Sequence, residues 1–173
     1  MDMNDLMKMV VSSGAIDQVS QQTGVSADAA AAAVQELLPA LLGGMKQQAT
    51  DTNTQASFLQ ALADHSKEDT DDLSAFVKKV DTEDGDKIVN HLLGADKEAV
   101  AAKAKKKSGL DTKDIIKIMA ILAPILMAKM GNNAENAKKS SKSTGNDTLD
   151  IVMGLMDGID TSDVIKIVGK LLK

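Results

Sequence analysis

Gly109-Leu-Asp-Thr-Lys-Asp-Ile-Ile-Lys-Ile118 returns with small changes as Gly158-Ile-Asp-Thr-Ser-Asp-Val-Ile-Lys-Ile167. A looser copy of the same unit begins at Gly24-Val25-Ser26. The 85 positions that separate Gly24 from Gly109 also separate Pro39 from Pro124. Repetition at a fixed spacing indicates that one supersecondary unit has been used several times. The sequence therefore predicts an architecture built from three related units.

Each copy has capping residues typical of a helix-turn-helix. A Gly suited to a helix C-cap is followed by a polar residue suited to an N-cap, as in Gly24 and Ser26. Asp111 with Asp114 is similar to a capping box in the second copy. The helices expected after these turns cover about 27–48, 112–130 and 161–172. Pro39 must kink the first of them or end its first half.

The helix expected at 112–130 is apolar on nearly every side, which is typical of a helix enclosed by others. Its counterpart at 27–48 combines a leucine-rich face with an alanine-rich face that allows close approach. We therefore predict an all-α, multihelical bundle of duplicated helix-turn-helix-like units around two Pro-kinked central helices, related by a pseudo-twofold axis. Shorter helices are expected around them, at about 3–12, 14–22, 55–65, 71–80, 86–93 and 96–107.

The chain divides into three parts by composition. Residues 1–131 form the predicted core, and residues 132–146, rich in Asn, Ser, Lys and Gly, are expected to be a flexible linker. Residues 147–173 form a C-terminal helical hairpin, which cannot bury its own apolar face. The hairpin must dock on its own core, on another copy or on a different protein. Its predicted interaction residues are Ile151, Leu155, Met156, Ile159, Val164, Ile165, Val168, Leu171 and Leu172.

Composition excludes several functional classes. The chain has no Cys, so neither a disulfide nor thiolate chemistry is available. All basic residues are Lys, which removes the planar guanidinium fork that reads guanine edges and phosphates. A net charge of −5 disfavours polyanions. The longest apolar run, Ile118–Ala128, is about half of the ~20 residues that span a bilayer, and the N-terminus lacks a secretory signal. We expect a cytoplasmic protein without a membrane span.

The sequence predicts no catalytic residue, cofactor or metal. His65 is expected to be exposed at a helix C-terminus, where an imidazolium complements the helix dipole, and His91 to be a boundary residue of an amphipathic helix. We therefore expect a protein that is not an enzyme. A deep polar pocket that holds either histidine beside a carboxylate would favour catalysis instead.

The acidic stretch 81–86, expected to be a loop, leaves divalent-cation binding open. An EF-hand register with Gly85 at position six fails, because it puts Val80 at position one and His91 at position twelve. The basic runs at Lys103, Lys105, Lys106 and Lys107, and at Lys138, Lys139 and Lys142, are interpreted as solvated segments.

Nucleic-acid binding is the alternative function. Val19–Ser26, followed by a helix, is similar to the turn of a helix-turn-helix DNA-binding motif. The following helix, however, offers mainly Ala, with Asp28 and Glu36, which phosphate repels. The leading hypothesis is a non-catalytic module for protein interaction or self-association through the hairpin, and nucleic acid is the less favoured partner.

Five ordered motifs within residues 1–131 belong together. They are Ala15-Ile-Asp-Gln-Val-Ser-Gln-Gln-Thr-Gly-Val-Ser26, Glu36-Leu-Leu-Pro-Ala-Leu-Leu-Gly43, Asp84-Gly-Asp-Lys-Ile-Val-Asn-His-Leu-Leu-Gly94, Ser108-Gly-Leu110 and Leu122-Ala-Pro-Ile-Leu-Met127. Through them the chain resembles the YidB-like family of small bacterial proteins of uncharacterised function. The resemblance implies a compact multihelical fold with homeodomain-like local geometry and brings no activity or site residues. Residues 147–173 depart from the Gly-rich tail common in that family.

Overall fold

The computed structural model describes residues 3–12, 14–140 and 153–154. Residues 3–12 and 14–140 are helical apart from short connections, and these residues include no strand. The helices are α1 (Met3–Ser12), α2 (Ala15–Thr23), α3 (Ala27–Thr50), α4 (Gln55–His65), α5 (Leu73–Lys79), α6 (Thr82–Leu93), α7 (Lys97–Ser108) and α8 (Thr112–Ser140), with a 3₁₀ turn at Gly94–Asp96. The all-α prediction is confirmed.

Helix α8 lies at the centre of the bundle. Every residue from Ile118 to Ala128 is buried, and the helix packs against α2, α3, α4, α5, α6 and α7. Helix α3 has a similar position, with Leu37, Leu38 and Leu41 fully buried. Exposing apolar side chains to water is unfavourable. A helix that is apolar on all sides is therefore enclosed by other helices. The two helices touch each other, as their composition predicted.

The turns before α3 and α8 have the same local geometry. Gly24 (φ 75°, ψ 14°) and Gly109 (φ 72°, ψ 6°) both end the preceding helix in the left-handed conformation. Ser26 then caps α3 by accepting a hydrogen bond of 3.3 Å from the Ala29 N–H. Both turns were predicted from the Gly and N-cap pattern. Duplication of the whole units stays a prediction.

Both prolines lie inside continuous helices, Pro39 in α3 and Pro124 in α8. Pro39 therefore does not end the first half of its helix, and the kinks stay a prediction. Among the described residues no helix is long and apolar enough to cross a membrane alone. Helices α2 and α3 meet those criteria only as a pair, bent by 107°.

Two helix boundaries differ by more than two residues from those predicted. Helix α6 begins at Thr82, because Asp81 accepts hydrogen bonds from the N–H groups of Glu83 (2.9 Å) and Asp84 (3.3 Å). The acidic stretch 81–86 is thus an N-cap and the first turns of a helix, and the expected loop was wrong. Helix α8 continues to Ser140, so residues 132–140 of the expected linker are helical, and 141–146 lie outside the described residues.

Packing explains the longer α8. Gly131 and Ala134 are buried, and Gly131 lies so close to the end of α4 that an added Cβ would meet the Leu62 carbonyl oxygen and the backbone of Ser66. Tertiary contact with α4 stabilises helix in a segment whose Asn and Gly content disfavours it. This contact also fixes the end of α4, beside which a surface cleft opens.

Candidate functional site

A surface cleft of about 350 Å³ opens where the end of α4, the 66–72 connection, α5 and the start of α6 meet the middle of α8. This volume lies within the range of small-ligand sites. Its lining combines an apolar floor with a charged rim, and we name it the acidic cleft. The lining residues are His65, Glu68, Asp69, Asp72, Ala75, Phe76, Lys79, Val80, Asp81, Asp84 and Pro124.

The 66–72 connection forms one wall and is fastened to α8. The Asn132 side-chain amide donates hydrogen bonds to the Glu68 carbonyl (2.8 Å) and to Thr70 Oγ1 (3.3 Å). Thr70 is only 5% exposed. The Glu68 N–H donates in turn to the His65 carbonyl, at 3.1 Å. These bonds satisfy groups that would be costly to bury unpaired, so the wall has a fixed shape.

His65 points to a carboxylate within this wall. Its Nδ1 lies 2.7 Å from Glu68 Oε1, and its side chain is only 16% exposed. The expectation that His65 is exposed was wrong, because the 66–72 connection folds back over the end of α4. At this distance Nδ1 can donate a hydrogen bond to the Glu68 carboxylate when that nitrogen carries a proton. His91, in contrast, is exposed on α6.

Three carboxylates of the rim also shape the local backbone. Asp72 Oδ1 accepts from the Ala75 N–H (3.0 Å) and caps α5, while Asp69 Oδ1 accepts from the Asp71 N–H (3.0 Å). Asp81 caps α6 through its own Oδ1. Each of these bonds uses Oδ1 of its carboxylate and restricts the side chain.

The rim is strongly negative. Glu68, Asp69, Asp72, Asp81 and Asp84 contribute carboxylates, while Lys79 is the one ammonium among the lining residues. Clustered like charges beside low-dielectric walls focus a field that attracts cations. The floor, formed by Ala75, Phe76, Val80 and Pro124, offers apolar and aromatic contact.

The acidic residues do not form a metal centre within the described part of the chain. No group of three or more His, Asp or Glu side chains there is arranged to hold a metal ion. Asp86, at the end of the acidic stretch, turns to α7, where Lys97 Nζ lies 2.5 Å from its Oδ1. The hydrogen bond and charge of Lys97, aided by Asn90, hold the pKa of Asp86 below its usual value, although desolvation opposes them.

The basic runs lie elsewhere. Lys105, Lys106 and Lys107 are exposed in the last turn of α7, as expected for a solvated helix end, and Lys103 Nζ lies 3.3 Å from Glu36 Oε2 on α3. Lys139 is exposed near the end of α8. Lys138 is also within that helix, and Lys142 lies outside the described residues.

The nine predicted interaction residues lie outside the described residues: Ile151, Leu155, Met156, Ile159, Val164, Ile165, Val168, Leu171 and Leu172. From the same segment the structure describes Met153, which is half-buried and packs against the apolar core. The C-terminal segment therefore contacts the core through at least this side chain.

Sequence reasoning missed the acidic cleft. The signal available was Glu68-Asp-Thr-Asp-Asp72, five polar residues between two short helices. This stretch did not predict that it would lie near Phe76, Asp84 or Pro124, because those residues come together only when the surrounding helices pack on α8.

Fold and cleft define an all-α protein with an enclosed central helix and an acidic surface cleft. The chain belongs to the family described as bacterial protein of unknown function (DUF937), which it matches over residues 5–133. This agrees with the class of protein that the motifs predicted, while the YidB-like name stays a prediction. Neither a curated protein nor a solved structure matches the chain. The family match ends before the C-terminal segment begins.

Proposed function

We propose that the protein is a non-catalytic helical module that acts by binding another protein chain. The observation that supports this proposal is the lining of the acidic cleft. Its described lining residues supply carboxylates, an aromatic ring and aliphatic contacts, and none of them is a Ser, Thr or Cys that could serve as a nucleophile. Such a lining is suited to recognition.

Within the acidic cleft the His65–Glu68 pair favours catalysis, since a carboxylate can orient an imidazole as a general base. A base needs a reacting partner and groups that stabilise developing charge. Among the described lining residues of the cleft, Lys79 is the one Lys beside five carboxylates. A negative rim opposes the formation of an oxyanion, so we favour binding.

Self-association through residues 147–173 is a second part of this proposal. Met153 supports it, because a segment that packs on its own core can make the same contact with the core of a second copy. Exchange of an identical segment between copies is a low-cost route to a dimer.

Light scattering on the eluting peak of a sizing column tests this part, at two protein concentrations. The samples are the wild-type chain, a variant with Leu155→Asp and Val168→Asp, and a control with Thr148→Asp and Ser162→Asp. The control adds the same charge to the same segment at polar positions. We expect a wild-type mass above that of a monomer, lost only in the first variant. A monomeric wild type at both concentrations would rule out self-association.

DNA association is the second candidate, favoured by the 107° bend between α2 and α3. Helices of a DNA-binding helix-turn-helix cross at a similar angle. Against it, ten residues of α3 are buried, and its first turn exposes Asp28. Glu36, also on α3, forms an ion pair with Lys103. Titration with random duplex DNA at low salt tests DNA association. Contacts with phosphates would give binding that weakens as salt is added, and no binding at low salt would rule DNA association out.

A further inference from the structure

We propose that the acidic cleft binds a lysine side chain presented by a segment of a partner protein. This inference rests on the proposed interaction role and names the chemistry of the partner. Three features carry it: the apolar floor, the negative rim and the fixed positions of the rim carboxylates.

The floor fits an aliphatic stem. Phe76 and Val80 are half-buried, Pro124 is buried, and Ala75 completes the surface beneath the carboxylates. A lysine side chain buries its four methylenes along apolar surface and keeps its ammonium at a polar edge. The ring of Phe76 adds a surface on which a cation is attracted. A bare inorganic ion would use none of this floor.

The rim fits a single organic cation rather than a metal. In the described residues no three His, Asp or Glu side chains are grouped so that they could hold a metal ion. An ammonium donates three hydrogen bonds and does not require the close inner coordination of a divalent metal. Separated oxygens can therefore accept from it directly or through water.

The site is held in place before any ligand arrives. Asp72 and Asp81 are fixed by capping α5 and α6, and Glu68 is fixed both by His65 and by the bond from Asn132 to its carbonyl. Groups that are already ordered lose little conformational freedom on binding, which favours affinity. Charge complementarity with a partner segment rich in lysine then selects the ligand.

The test is an NMR titration of the isotopically labelled full-length chain with acetyl-pentalysine-amide at low salt. We expect saturable shifts centred on Glu68, Phe76 and Asp84. The same peptide built from 2,4-diaminobutyrate has equal charge and shorter stems, and it should bind more weakly. Pentaglutamine should not bind.

Two variants with the same net charge distinguish the effect of the cleft carboxylates on binding from the effect of the overall charge of the chain. The cleft variant carries Asp69→Asn, Asp72→Asn, Asp81→Asn and Asp84→Asn, and the amide oxygens at positions 72 and 81 can retain the caps of α5 and α6. The control carries Asp17→Asn, Asp28→Asn, Glu98→Gln and Asp111→Asn, all at exposed positions outside the cleft.

The cleft variant should bind pentalysine about tenfold more weakly or worse, as expected when several modest charge contacts are removed together. The control should change the affinity by no more than about twofold, through screened long-range attraction. No saturable shifts, shifts centred elsewhere, or equal losses in both variants would overturn the inference. The light-scattering result does not depend on pentalysine, so failure here leaves self-association to be judged separately.

Discussion

The side-chain amide of Asn132 lies 2.8 Å from the carbonyl oxygen of Glu68, 64 positions earlier in the chain. This bond joins the C-terminal half of the central helix α8 to the wall of the acidic cleft. It exists because Gly131 lets α8 approach the end of α4 closely. A residue of a segment that reads as linker thus holds the candidate site together.

Replacing Asn132 by Ala should loosen this wall. Two acceptors, the Glu68 carbonyl and Thr70 Oγ1, lose their donor, and we expect a loss of about 1–3 kcal/mol in the free energy of unfolding. Urea unfolding measures the loss, and hydrogen exchange should show faster opening of residues 66–72. Asn133→Ala on the same helix is the control, with an expected change within about 0.5 kcal/mol. Equal losses for the two variants would show that the bond has no special role.

Gly85→Ala should strongly destabilise the fold. Gly85 is buried where α6 crosses α8, and an added Cβ would overlap the carbonyl oxygen of Ala120. Backbone cannot move aside as a flexible side chain can, so we expect a loss of at least about 3 kcal/mol, or failure to fold. Gly154→Ala is the control, because nothing lies within 4 Å of its added Cβ. Thermal unfolding compares the two, and a Gly85→Ala protein with unchanged stability contradicts this helix crossing.

Gly24→Ala and Gly109→Ala should cost similar amounts. Both residues have a positive φ, at which a Cβ is strained by about 1–2 kcal/mol. Asn tolerates this conformation better, so Gly24→Asn and Gly109→Asn should recover part of each loss. Chemical unfolding of the four variants measures the set. If only one of the two alanine substitutions destabilises the chain, the turns are not equivalent.

The Asp86–Lys97 pair predicts a pH-dependent contribution to stability. A carboxyl with a lowered pKa stabilises the fold above its unfolded pKa of about 3.9, and this contribution disappears as the pH falls through the folded value. Asp86 is 41% exposed, so solvent screens the pair and we expect only about 0.2–1 kcal/mol.

Asp86→Asn should therefore lower the melting temperature at pH 7, and the difference from wild type should shrink towards pH 2. Asp28→Asn serves as the control, because Asp28 is exposed and makes no such cation pair among the described residues. A difference between Asp86→Asn and wild type that stays constant across this pH range would show that the effect is not ionic.

Helix ends were predicted correctly where they depend on residues that are close together in the sequence. Gly24, Ser26 and Gly109 act through their own backbone geometry and nearest hydrogen bonds, so the sequence reveals them. The start of α6 was misjudged because Asp81–Asp86 reads equally as an acidic loop and as a capped first turn. The end of α8 was misjudged because composition disfavours a helix there and only the contact with α4 stabilises it.

By itself the sequence determined that the chain is all-α, where most helices begin and end, and that the helix containing Ile118 to Ala128 is enclosed. Helix periodicity and capping depend on residues a few positions apart, which the chain order displays directly. Only the tertiary structure decided that His65 is largely buried and that its neighbours, with Phe76, Asp84 and Pro124, line one cleft. The residues that line the cleft come from four helices and a connection. They meet because the surrounding helices pack on α8 and bury its apolar surface.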